Sequence, residues 1–184
     1  MKYYIVLFLM AIGIIIPNAA ISDQGQASLS LNPGFSLFTK NSTYDFNNGP
    51  KIDLGIGYDT SDESNVSFIL GYNRFVNAVD DNISMDLYYA GIVLKQYLNA
   101  GISKGYLTGG LNFDYADFLG IPSQSSSIKR PSNDAGLGFN VGAGVDVMAS
   151  SSFFFGPVLK YEGIILQKTY VNLITLQLSL GLLF

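Results

Sequence analysis

From residue 28 to the C-terminus, apolar and polar residues alternate almost one for one. A period of two belongs to β-strands whose two faces meet different surroundings. Segment 135–148 shows it most cleanly: Leu137, Phe139, Val141, Ala143, Val145 and Val147 oppose Gly136, Gly138, Asn140, Gly142, Gly144 and Asp146. Segments 28–38, 51–59, 65–75, 104–117, 153–162 and 171–184 alternate in the same way. Segment 83–98 is ambiguous. Tyr88, Ala90, Ile92 and Leu94 form one face against Gly91, Val93 and Lys95, but Ile83, Met85 and Leu87 fit the opposite register. A bulge between its halves is the expected reconciliation. Pro33 and Pro157 each remove a ladder donor, so they are expected at bulges or near a rim.

Together these segments predict eight strands of about ten residues or more, longer than the ~5–6 usual in globular sheets. Ten tilted residues cross a membrane. The turns at 60–64, 99–103 and 149–152 are short, and the connectors at 39–50, 76–82, 118–134 and 163–169 are longer. Strict alternation of short and long connectors, with an even strand count, predicts an all-β, eight-stranded antiparallel up-and-down transmembrane β-barrel. Closure satisfies every backbone group, which lipid requires. Leu, Ile, Val and Phe then face acyl chains, while Gly, Ser, Asn and scattered charges fill a narrow polar interior. Tyr58, Tyr72, Tyr115 and Tyr161 fall where an aromatic girdle belongs.

Composition agrees. Of 184 residues, 48% are hydrophobic and only 13% charged, which excludes intrinsic disorder. It also disfavours a lipocalin-like soluble ligand-binding barrel, whose water-facing side needs many charges. The net charge of −4 and the lack of a basic patch argue against nucleic acid as a partner. Cys and His are both absent. Without them there are no disulfides, no Ser-His or Cys-His nucleophiles and none of the usual zinc sites, so no catalytic residue, metal ligand or cofactor is expected.

Residues 1–22 read as a signal peptide. Lys2 is the basic start, 3–16 the apolar core, Pro17 the break, and Ala20-Ile21-Ser22 the small-residue cleavage site, with cleavage before Asp23 expected and cleavage after Ala20 the alternative. The apolar run is short for a membrane-spanning helix. Its removal leaves residues 23–184 as one barrel domain with a net charge of −5.

The glycine-alternating stretch Gly136 to Val145 and a last strand ending in Phe184 resemble the small OmpA-like and OmpX-like outer-membrane β-barrel proteins. The resemblance implies the outer membrane of a Gram-negative-type bacterium. It also implies that Phe184 is an assembly signal read by the barrel-assembly machinery, with periplasmic chaperones as further partners. Outer-membrane lipid and lipopolysaccharide would surround a monomer. The family's barrel enzymes depend on histidine, which this chain lacks.

The polar face carries the candidate lumen network: Asp53, Asn112, Asp114, Asn140, Asp146, Lys160, Glu162 and Gln177, with Lys95 joining in one register. Buried charges must be paired or hydrated, so the expected role is a structural plug. Lys129 and Arg130 in connector 118–134 are candidate loop contacts, for lipopolysaccharide phosphates or a partner. Arg74, near a strand end, is expected to snorkel to the interface. A non-enzymatic protein with a structural or surface-interaction role is the leading reading, and a narrow pore for ions or small solutes is the alternative.

Overall fold

The computed structural model describes residues 25–39, 46–61, 63–99, 101–119, 133–167 and 170–184. The signal segment 1–22 and the Lys129-Arg130 pair lie outside the described residues. Eight strands follow in order: β1 (Ala27–Phe38), β2 (Gly49–Ser61), β3 (Ser64–Val76), β4 (Ser84–Tyr97), β5 (Ser103–Leu119), β6 (Asn133–Met148), β7 (Phe153–Leu166) and β8 (Tyr170–Leu183). Each pairs antiparallel with its chain neighbours, and β1 pairs with β8, closing the barrel. Following partners from Ser28 through Gly57, Ser67, Val93, Gly110, Asn140, Glu162 and Leu173 returns to β1 at Phe38, a stagger of ten residues. In an eight-stranded barrel such a stagger tilts the strands and leaves an interior that side chains alone can fill.

The described ends of the chain, at Gly25 and Phe184, lie at one end, the turn end, with the strand ends joined through 62–63, 98–102 and 149–152. In the connection from β4 to β5, Gly101 adopts a φ of 126°, which a residue with a Cβ rarely takes. The strand ends joined through 39–48, 77–83, 120–132 and 167–169 lie at the other end, the loop end. The fourth was expected to span 163–169. Instead β7 continues to Leu166, because Gly163, Ile164 and Ile165 stay paired with Asn172, Val171 and Tyr170. The alternation of short and long connectors therefore fails at that hairpin.

The two faces separate cleanly. Leu111 and Leu137 point outward and are 72% and 68% exposed, whereas Asp53 and Asp114 point inward at 1% and 0%. Strand β4 contains no bulge. Its register with β3 and β5 is unbroken from Ser84 to Gln96, so Met85, Leu87, Tyr89, Gly91, Val93 and Lys95 all face inward. The expected bulge rested on placing Met85 and Leu87 against lipid. They instead join an apolar plug inside the loop end with Phe46, Phe75, Phe118 and Leu173. The interior is therefore not polar throughout.

The prolines sit at no bulge either. Pro33 pairs in register with Ile52, and Pro157 with Leu178. Each interrupts only the ladder on its other side: β1–β8 partners skip from Leu31 to Gly34, and β6–β7 partners skip from Gly144 to Val147, without change of register.

Candidate functional site

Below the plug, the inward face of β2 projects Lys51 and Asp53 across the barrel. Lys51 Nζ donates to both carboxylate oxygens of Glu162 on β7, at 2.5 and 2.6 Å. The same ammonium lies 4.6 Å from the centroid of the Tyr89 ring on β4, a cation–π contact. Tyr89 OH donates to Asp53 Oδ1, Gln177 Nε2 on β8 donates to Asp53 Oδ2 at 2.8 Å, and Lys160 Nζ stands 3.6 Å from Asp53 Oδ2. Four strands are thus tied together through two carboxylates. Gly71 makes this possible, since a Cβ there would stand 2.0 Å from Tyr89 Cζ.

On the far wall Asn112 Nδ2 donates to Asp114 Oδ2 over Gly138, where a Cβ would come within 2.2 Å of the amide. Asn140 faces Glu162 across the β6–β7 register. Asn140 Oδ1 and Asp114 Oδ1 are buried with no hydrogen-bond partner among the described residues. Asn73 Nδ2 donates to Ser36 Oγ at 2.7 Å, and Ser36 Oγ lies 2.9 Å from Thr175 Oγ1. Asp146 belongs to a separate group nearer the turn end. It accepts from Lys95 Nζ at 2.9 Å and from Tyr97 OH at 3.1 Å, while Lys95 also lies 4.3 Å from the Tyr106 ring centroid. Between the two groups is a cavity of about 50 Å³, lined by Ser30, Ser67, Thr108, Val158, Ser179 and others.

The structure thus brings Asp53, Lys160, Glu162 and Gln177 together, places Asn112 and Asp114 beside them, and leaves Asp146 apart. Sequence reasoning missed Lys51, which stands at a predicted strand boundary. Its parity with Asp53 was the available signal. Tyr89 was missed because the facing of β4 was open.

Outside the barrel, Tyr72 OH donates to Asp86 Oδ1 at 2.9 Å, and Arg74 Nε lies 3.7 Å from the same oxygen. Tyr161 OH donates to Asn172 Oδ1 at 2.7 Å. Girdle tyrosines near the loop end thus cap polar side chains that would otherwise meet acyl chains without a partner. Phe184 points outward at the turn end and is 76% exposed, its backbone exchanging two 3.0 Å bonds with Ala27.

Chemically the carboxylates at the centre of the network, Asp53 and Glu162, are saturated, although Asp114, Asn140 and Asp146 each keep one buried oxygen with no partner among the described residues. Both oxygens of Asp53 and of Glu162 accept from donors, beneath an apolar ceiling.

Residues 6–184 match the family model of the outer membrane protein beta-barrel domain. The chain belongs to this family. It is therefore an integral barrel of the outer membrane, and its apolar outward face meets lipid. Three solved structures share the fold of this outer-membrane barrel. Neisserial surface protein A aligns at 18% identity over 86% of this chain and 95% of its own, with a TM-score of 0.57. The attachment invasion locus protein Ail of Yersinia pestis aligns at 19% identity, covering 88% and 99%, also with a TM-score of 0.57. The N-terminal β-barrel domain of OprF from Pseudomonas aeruginosa aligns at 19%, covering 88% and 100%, with a TM-score of 0.54. No curated protein matches the sequence.

Proposed function

We propose that this chain is a non-enzymatic, monomeric barrel of a Gram-negative-type outer membrane, with a structural or surface-interaction role carried by its loops. The observation that carries this reading is the seal across the lumen. The loop end is packed by Phe46, Phe75, Met85, Leu87, Leu173 and their neighbours, and Phe75 and Leu173 are fully buried. Directly beneath, Lys51, Asp53, Lys160 and Glu162 cross-link the walls. A hydrated ion would have to wet an apolar layer and break a buried ion pair, and both steps are costly. The narrow-pore alternative has no such observation in its favour.

In this reading the lumen network is structural. The loop end faces the cell exterior, as long loops do in such barrels, and the likeness to Ail and to a neisserial surface protein supports a surface role. Residues 1–22 are cleaved on export, Phe184 is presented to the assembly machinery after delivery by chaperones, and Lys129 and Arg130 meet lipopolysaccharide phosphates or a partner. The test is conductance of purified barrel in planar bilayers. No steady single-channel current is expected, and a reproducible ohmic conductance overturns the sealed-barrel reading in favour of the pore.

A further inference from the structure

The barrel closes where β1 meets β8, and that seam carries a gap. Ala27 exchanges backbone bonds with Phe184, so odd-numbered β1 residues direct their N–H and C=O groups at β8. Pro33 is one of them and has no N–H to give. The seam partners accordingly stop at Leu31↔Leu180 and resume at Gly34↔Gln177. A ladder rung is missing within the apolar band, where water is not available to replace it.

One side chain crosses the seam beside this gap, from inside the barrel. Gln177 on β8 is 3% exposed, and its Nε2 donates to the backbone oxygen of Asn32 at 3.1 Å as well as to Asp53 on β2 at 2.8 Å. It reaches both because Gly34, its partner across the seam, leaves the space open. A Cβ at residue 34 would stand 2.5 Å from Gln177 Cγ. Three neighbouring positions thus fit one device: Pro33 removes the rung, Gly34 clears the path, and the Gln177 amide ties β8 to β1 and β2.

We propose that Gln177 is the latch of the barrel seam, holding β1 to β8 at the break that Pro33 makes. The seam is then the line along which the barrel opens first, and Gln177 is a positioning residue that acts on closure, separate from the ion pairing of Lys51 with Glu162.

Hydrogen exchange on the full-length barrel refolded in detergent tests this. Gln177→Leu is expected to speed exchange at Leu31, Phe35 and Leu178 by about tenfold, the ratio that roughly 1.4 kcal/mol sets, while β4 and β5 amides stay unchanged. Pro33→Val restores the N–H with a side chain suited to lipid. It is expected to slow seam exchange by itself and to shrink the effect of Gln177→Leu in the double variant. Tyr89→Phe removes a different donor from Asp53 and is expected to leave the seam unchanged. The latch is overturned if exchange rises evenly around the barrel, if Tyr89→Phe opens the seam as Gln177→Leu does, or if Pro33→Val leaves the Gln177 effect intact. Should Gln177→Leu fail to fold, the Pro33→Val result alone decides: unchanged seam exchange overturns the proposal.

Discussion

Lys51 shows how much one side chain organises in this interior. Its ammonium bridges both oxygens of Glu162 and rests on the Tyr89 ring, with its side chain 1% exposed. Removing one member of a buried pair strands the other charge, so Lys51→Met should cost about 3–5 kcal/mol. The double variant Lys51→Met/Glu162→Leu should recover much of that loss, because no lone charge remains. Urea titration of the refolded barrel, read as the fraction migrating in the compact form on an unheated gel, measures both. Additive losses would mean that the two residues are not coupled. Polar candidates such as Asp53 and Glu162 were legible from parity alone. Their partners were not, because which of several inward groups meet across a lumen depends on stagger, which local sequence does not encode.

Strands were the most legible elements, since period two needs only a contrast between the faces. Strand β6 is the clearest case: Val141 is exposed to lipid at 52% while Asn140 beside it is buried at 4%. Val141→Arg should therefore cost about 2–4 kcal/mol at mid-membrane, whereas Ser67→Thr, which borders the cavity, should cost far less. Folded fractions of the two variants on unheated gels check the faces, and equal tolerance would reverse them. Strand β4 was ambiguous for a physical reason. Met85 and Leu87 are apolar and inward, so polarity ceases to report direction where the lumen itself is apolar. The same effect hid Phe154 and Val158, inward at 5% and 4% on β7.

At the level of the whole molecule, the two ends face different compartments. Val79, 87% exposed in the 77–83 connection, belongs to the loop end, and Ser150 to a turn-end connection. Cysteine at Val79 should react with an impermeant thiol reagent on intact cells, and cysteine at Ser150 only after permeabilisation. The opposite labelling would invert the topology. On the sealed-barrel proposal the functional surface falls to the exterior connections rather than the lumen, because a cross-linked and plugged interior gives a solute a costly route.

Alternation and strand length by themselves determined an eight-stranded membrane barrel, because period two and crossing length are properties of each strand taken alone. Tertiary structure decided what depends on strands far apart in the chain. The ten-residue stagger sets Lys51 against Glu162 and carries Met85 and Leu87 into a plug. It also lays Gln177 across the break at Pro33, since closure brings β8 beside β1 only in the folded barrel.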